Sequence, residues 1–310
     1  MKRKINKVGP GTYTISLPKK WVEQQLLKKG DEIDLEEKGS ILVVNTSKKP
    51  IMKRVKVHVP LYNHTILRTL YHSYRSGAEE VELTFDNKDC IKIVESIIGT
   101  LMGFEIIEQT DNSILIKNIT EINEKDFEKT FKRLFDITLY MGKKIYENLS
   151  SGNFESLSNT AIIEKTQNKI YLFCLRSLNL YREGLKDLPS FYYLLAQRLE
   201  DMGDSFKFIC GYYAKTHPKK ISQETLGFLS EVNNMLSKIY YMHYNFNIEQ
   251  TEDLFNAHIL LKDKLKELLL TQPKEELFLL TKLEKIVVDI YDASSPIFGI
   301  NFEKMDQKQN

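Results

Sequence analysis

Among the residue types that can bind ligands or catalyse reactions, this sequence contains acidic side chains at a helical spacing. Glu200 and Asp204 stand four residues apart in a segment with helical periodicity. Residues four apart differ by only about 40° in direction around a helix, so both carboxylates could share a cation. Carboxylate oxygens suit hard cations such as magnesium, manganese or iron. The alternative is a solvated ion pair, because Lys207 follows Asp204 by three residues.

A second polar pair, Glu164 and Asn168, begins a stripe that continues through Tyr171, Leu175 and Leu178. Apolar residues at this spacing form one buried helix face, so we expect Glu164 to be partly buried. A buried carboxylate needs a partner. That partner is either a metal ion or a single lysine or arginine.

Other catalytic chemistry finds no support in the sequence. The six histidines lack the H-E-x-x-H spacing of zinc enzymes, and no nucleophile with its base is recognisable, so we expect no enzyme. The three cysteines are an odd number without a C-x-x-C pair, which fits a reducing cytoplasm. No apolar run approaches the roughly 20 residues of a membrane span, and the basic start has no apolar stretch after it. We therefore expect a cytoplasmic protein without membrane insertion.

Charge is polarised along the first part of the chain. Residues 1–22 contain no acid and carry Lys2, Arg3, Lys4, Lys7, Lys19 and Lys20. The acids follow as Asp31, Glu32, Asp34, Glu36 and Glu37. Such an asymmetry can attract a polyanion to one surface, because each phosphate contact releases counterions from DNA. An ordinary solvated terminus is the alternative.

The residue pattern divides the chain into an α+β arrangement of four parts. Residues 1–48 read as short strands with turns at Lys29–Asp31 and Lys38–Ser40, and so few residues need a partner chain to enclose a core. Residues 51–120 alternate strands and helices as a small α/β connector without a Gly-rich phosphate loop. The parts that follow, residues 121–215 and 216–305, have helical period throughout.

The helical parts predict two consecutive three-helix bundles. Breaks are predicted at 150–153, 187–190, 216–220 and near Pro273, which leaves room for about six helices. The first helix carries a predicted buried stripe of Phe127, Phe131, Leu134, Phe135, Leu139, Ile145 and Tyr146. The aromatic run from Ile239 to Tyr244 could stack on bases, but its helical spacing favours a place in the core.

The N-terminal segment RKINKVGPGTYTISLPKKWVEQQLLKKGDEIDLEEKGSILVV resembles the AbrB/SpoVT-type swapped-hairpin domain. The specific motif runs from Ser16–Val22 to Leu27–Asp31. The resemblance implies a homodimer with interleaved hairpins that binds double-stranded DNA. By position, the DNA-binding residues are Arg3, Lys4, Lys7, Lys19 and Lys20. The stretch between Gly9 and Thr14 is longer than in the shortest members, so we assign these residues to phosphates and not to bases.

The rest of the chain resembles archaeal regulators in which such a domain is fused to a region similar to PhoU, the phosphate-uptake regulator. GTLMGFEIIEQTDNSILIKNI looks like their α/β connector. PhoU places E-x-x-x-D pairs on facing helices to hold metal, and residues 198–204 match this motif. Glu164 and Asn168 match it with Asn in place of Asp, and residues 283–292 keep acids only at shifted spacing. The implied metal ligands are Glu164, Asn168, Glu200 and Asp204, for magnesium, manganese, iron or zinc.

Two functions follow from the sequence. The first is a DNA-binding transcriptional regulator of phosphate uptake or of metal- and phosphate-linked genes, with a helical sensor or interaction region. The second is a non-DNA-binding, PhoU-like interaction protein whose bundles regulate a phosphate transporter or a signalling partner. A salt-dependent DNA complex distinguishes them.

Overall fold

The computed structural model describes residues 1–46, 53–120, 124–180, 188–218 and 220–306. The chain divides into two compact units, Met1–Lys53 and Arg54–Asn310. The domain limits predicted at residues 48, 51 and 121 lie outside the described residues, as do parts of the breaks predicted at 187–190 and 216–220. The further division of the second unit at residues 215 and 216 stays a prediction.

The first unit consists of two separate hairpins and a short helix. Its elements are β1 (Asn6–Val8), β2 (Thr12–Thr14), α1 (Lys19–Gln24), β3 (Asp34–Lys38) and β4 (Ile41–Asn45). β1 pairs antiparallel with β2, and β3 pairs antiparallel with β4. The second hairpin closes through Gly39 and Ser40, where Gly39 has a φ of +60°. A tight two-residue turn needs such a left-handed φ at its first central position, which glycine adopts without steric cost.

The second unit begins with a four-stranded mixed sheet. Its elements are β5 (Arg54–His58), α2 (Asn63–Arg75), β6 (Glu80–Thr84), α3 (Asp89–Ile98), β7 (Phe104–Gln109) and β8 (Ser113–Asn118). The strand order is β5-β6-β8-β7, in which β5 and β6 are parallel and the other pairs are antiparallel. The parallel pair requires the α2 crossover, and α2 buries Leu70 and Tyr74 in a core shared with Val81 and Ile116. We call residues 54–120 the connector.

Six long helices complete the second unit. They are α4 (Glu124–Ser151), α5 (Leu157–Leu180), α6 (Pro189–Thr216), α7 (Gln223–Tyr244), α8 (Glu249–Thr271) and α9 (Lys274–Asp306). Helices α4, α5 and α6 pack on one another, and so do α7, α8 and α9. The two sets meet along α6 with α9 and along α4 with α7. The α+β class predicted from the sequence is confirmed, with β-hairpins first and helices after residue 124.

Three details of the helical part differ from the prediction. Tyr146 was assigned to the buried stripe of α4 but is 36% exposed, because it lies at the edge of the face that packs. Tyr241 and Tyr244 are 60% and 41% exposed, although Ile239 and Met242 of the same run are buried as predicted. The sequence prediction also missed the break at residues 245–248 between α7 and α8, where no glycine or proline marks the end of the helix.

Among the described residues, no helix combines the length and the apolar character that crossing a membrane requires.

Candidate nucleic-acid interface and acidic helix pair

The predicted DNA-binding residues lie on the first hairpin, on the chain before it and on α1. All five side chains, Arg3, Lys4, Lys7, Lys19 and Lys20, are exposed. Lys7 lies in β1 opposite Tyr13 of β2, and Lys19 and Lys20 are the first two residues of α1. Lys19 forms an ion pair with Glu23 at 3.6 Å, but its side chain is 89% exposed. Such an exposed pair contributes little energy, so Lys19 can exchange Glu23 for a phosphate at small cost.

Three acids of the first unit lie together on one strand. Asp34, Glu36 and Glu37 lie on β3, and all three are exposed. The charge separation seen along the sequence is therefore largely a separation between elements: bases predominate on β1 and α1, where Glu23 is the one acid, and acids predominate on β3. Electrostatic steering of an anion depends on this kind of uneven distribution.

The first unit has almost no core of its own. None of the side chains that the structure describes between residues 1 and 46 is buried. The exposed large apolar residues include Ile5, Val8, Tyr13, Ile15, Leu26, Leu35, Ile41 and Leu42. Leu35 pairs with Val44 and Glu37 with Leu42, so Leu35, Leu42 and Val44 share one face of the second hairpin. Isolated two-stranded hairpins are marginally stable in water, so this face needs a covering surface.

The acidic helix pair lies between α5 and α6. Glu164 of α5 is only 4% exposed. Its Oε1 atom accepts hydrogen bonds from Asn168 Nδ2 at 2.5 Å and from Lys207 Nζ at 2.9 Å. Lys207 Nζ also lies 3.4 Å from Asp204 Oδ1. The ammonium group of Lys207 therefore joins a carboxylate of α5 to one of α6.

Burial and neighbouring charges shift the pKa values of the groups in this cluster. Burial raises the pKa of Glu164, and the ion pair with Lys207 opposes the rise. Burial lowers the pKa of Lys207, but the hydrogen bond and charge of Glu164, with a further contribution from Asp204, outweigh it and raise the pKa above its ordinary value. Burial, with the neighbouring carboxylates, raises the pKa of Glu200 to about 7, so this carboxyl takes up a proton close to neutral pH.

The sequence predicted that Glu164, Asn168, Glu200 and Asp204 hold a metal ion. Glu164, Asn168 and Asp204 are brought together, but Lys207 occupies the position between the two carboxylates. The fourth predicted ligand, Glu200, accepts a hydrogen bond from Gln197 Nε2 at 3.0 Å. Within the described ranges, no group of three or more His, Cys, Asp or Glu side chains has an arrangement that could hold a metal.

Sequence reasoning missed a buried arginine that joins the helices to the connector. Arg176 of α5 is fully buried, and its guanidinium donates hydrogen bonds to the carbonyl oxygens of Tyr74 and Ala78 at 2.9 and 2.8 Å. It also forms an ion pair with Glu79 at 2.7 Å and lies 5.2 Å from the centre of the Phe104 ring. The sequence does contain a signal for this role, since Arg176 is the single charge within the apolar run from Ile170 to Leu178. A charge buried among apolar residues requires partners.

Comparison with known proteins identifies the type of the first unit. The family model described as "Antidote-toxin recognition MazE, bacterial antitoxin" matches residues 7–54. The N-terminal segment is similar to MazE. This match agrees with the resemblance seen in the sequence, and we call residues 7–54 the MazE-like segment. Among curated proteins, none matches the chain significantly.

The solved structures include a match to the helical part. It is the phosphate transport system regulatory protein PhoU from Streptococcus pneumoniae, with 15% sequence identity and a TM-score of 0.46. The match covers 57% of this chain and 94% of that protein.

Proposed function

We propose that the protein is a homodimeric DNA-binding regulator whose MazE-like segment contacts the phosphates of double-stranded DNA. This proposal rests on one observation about the first unit. The unit exposes five bases on and beside β1 and α1 and buries none of its described side chains. Cationic side chains on short elements supply the sequence-independent part of DNA affinity. Such a regulator acts in the cytoplasm, on the DNA there.

The second copy of the chain is proposed to cover the apolar face of the second hairpin. Homodimers usually bury the same patch on both subunits, and a unit of fewer than about 50 residues gains most of its core in this way. Leu35, Leu42 and Val44 would then contact the partner chain. The bases on β1 and α1 would be present twice, at positions related by the twofold axis.

A charge introduced into this face should separate the dimer. We expect the full chain, like the isolated segment 1–48, to sediment as a dimer at micromolar concentration, and Leu35→Lys with Leu42→Lys to sediment as a monomer. The reason is that the two copies would bring four ammonium groups into the interface against only the two carboxylates of Glu37, which lies on the same face. Glu32→Lys, which adds a lysine at an exposed position outside the strands, is the control and should stay dimeric. A monomeric unmodified protein would contradict the proposed interface.

DNA affinity should depend on the lysines of α1. We expect Lys19→Ala with Lys20→Ala to weaken binding to specific and random DNA about equally, because lysine suits phosphate as a mobile point charge. Each lost phosphate contact lowers the slope of log affinity against log salt by about 0.9, so two lysines in two chains give a change of about 3 to 4 units. Fluorescence anisotropy over a series of salt concentrations measures this slope.

The control for this experiment has the same charge change elsewhere in the same unit. Lys28 and Lys29 are exposed and precede β3 with its acids, so Lys28→Ala with Lys29→Ala should change the slope much less. Equal effects of the two double variants would place the DNA surface elsewhere. An unmodified protein without any DNA binding would support the non-DNA-binding interaction protein.

We further propose that the regulated genes are those of phosphate uptake or other metal- and phosphate-linked genes. This part of the proposal rests on the PhoU-like sequence motifs alone. Its test is a map of bound DNA across the genome, with and without phosphate limitation. Bound sites at promoters of phosphate transport would support this role. Bound sites confined to other promoters would contradict it and leave the DNA-binding proposal intact.

A further inference from the structure

The second unit provides its buried carboxylates with hydrogen-bond or ion-pair partners from its own chain. Among the described residues, the buried carboxylates are Glu80, Glu164, Glu276 and Asp289. Glu80 pairs with Arg54 at 2.6 Å and Lys117 at 3.3 Å, and Glu276 accepts hydrogen bonds from the backbone nitrogen and the hydroxyl of Ser222. An acid buried away from water requires such partners, and here each one is supplied internally.

Asp289 lies in α9, in the set formed by α7, α8 and α9. Like Glu164, it is a buried carboxylate that pairs with cations of the same chain. Its side chain is 1% exposed, and its two oxygen atoms accept hydrogen bonds from Lys285 Nζ at 2.5 and 2.6 Å. Arg198 of α6 lies 3.4 Å from Asp289 and 3.1 Å from Asp292. Asp289 and Asp292, two of the three acids of residues 283–292 that the sequence compares with a metal motif, therefore also face cations of the protein itself.

Beside Glu164 the chain supplies a cation of its own. Lys207 supplies one positive charge between the carboxylates of Glu164 and Asp204. A divalent ion placed between the same oxygens would meet the ammonium group at a few ångströms, where like charges repel strongly.

We propose that Lys207 replaces a metal ion in this chain: its ammonium group binds Glu164 and Asp204 and thereby excludes divalent cations from the α5–α6 cluster. The helical part then folds and functions without a metal at this position. This inference concerns the second unit and does not rest on DNA binding, so either proposal can fail while the other holds.

The test is thermal unfolding of the full chain with and without about 1 mM Mn²⁺, followed by circular dichroism, since a ligand that binds only the folded state raises the melting temperature. The unmodified protein should show no change. Lys207→Met, which keeps the length and removes the charge, should gain about 3 °C or more on addition of Mn²⁺. Adding Glu164→Gln to Lys207→Met should abolish this gain.

A matched control is available on α8. Asp263 and Lys266 form an ion pair at the same three-residue spacing, 2.7 Å apart, with both side chains mostly exposed. Lys266→Met removes a lysine beside an aspartate without uncovering a buried acid, so it should not respond to Mn²⁺. Elemental analysis of unmodified protein purified without chelator is a second measurement, which does not depend on the variant being folded.

Three results would overturn the proposal. The first is a stoichiometric metal in the unmodified protein that Glu164→Gln removes. The second is stabilisation of the unmodified protein by Mn²⁺ that depends on Glu164. The third is a folded Lys207→Met variant that binds no Mn²⁺, because the ammonium group would then not be what excludes the metal.

Discussion

We expect Arg176→Ala to lower the free energy of unfolding of the second unit by about 3–5 kcal/mol, the range for removing one partner of a buried ion pair. The substitution removes the donors to the carbonyl oxygens of Tyr74 and Ala78 and the ion pair with Glu79. It also leaves a cavity beside two aromatic rings that contact each other, because the guanidinium lies 5.0 and 5.2 Å from the ring centres of Tyr74 and Phe104. Urea unfolding followed by far-ultraviolet circular dichroism measures the loss.

Two comparisons separate the contributions of Arg176. Arg176→Lys keeps the charge but cannot reach two carbonyls and a carboxylate at once, so it should lose less than Arg176→Ala. Glu79→Gln should lose less still, because Glu79 is 29% exposed and both carbonyl contacts remain. The single tryptophan, Trp21, lies in the first unit, so its fluorescence checks that this unit stays folded. A loss below about 1 kcal/mol for Arg176→Ala would contradict the buried contacts.

Gly203→Ala is expected to destabilise the second unit by about 2–4 kcal/mol through overpacking and the loss of buried hydrogen bonds. A Cβ atom at this position of α6 would overlap the amide of Gln167 in α5. Gln167 is 1% exposed, and its Nε2 donates to Leu199 O at 2.7 Å and to Thr138 Oγ1 at 2.8 Å. The amide cannot move away without giving up these bonds. Chemical denaturation of the full chain gives the change in stability.

A glycine of the same helix serves as the control. A Cβ atom at Gly211 meets no atom within 4 Å, so Gly211→Ala should stabilise by up to about 1 kcal/mol through helix propensity. In a Gln167→Ala background the overlap is absent, and Gly203→Ala should cost little or nothing. A double-mutant cycle measures this coupling, which is expected to equal most of the loss in the single variant. Additive effects of the two substitutions would exclude a direct contact.

The order and type of the secondary structure elements could be predicted from the sequence because they depend on local spacing. Apolar residues at three- and four-residue steps predicted the helices after residue 124, and alternation predicted the hairpins and the sheet of the connector. Glycine at position 39 predicted the tight turn that closes the second hairpin. The break between α7 and α8 was missed because its residues, Asn-Phe-Asn-Ile, keep an apolar residue in register and contain neither glycine nor proline.

For the candidate sites as well, the sequence predicted what depends on local spacing and not what depends on contacts between distant residues. The sequence identified the basic residues of the first unit and the acids at 164, 200 and 204, since residue type and helical spacing are visible in one dimension. It left two partners open for Glu164, a metal or a basic side chain. The structure places Lys207, 43 residues away in the chain, on that carboxylate.

The sequence by itself determined the element types, the charge separation of the first 37 residues and the MazE-like character of the N-terminus. Only the tertiary structure decided which charges neutralise one another and which apolar faces stay uncovered. Arg176 and its acceptor Tyr74 are 102 residues apart, so no local pattern relates them. Periodicity shows which face of a helix is buried, because burial follows from the direction of each side chain around one axis. It cannot show what that face meets, because the partner is chosen by the packing of the whole chain.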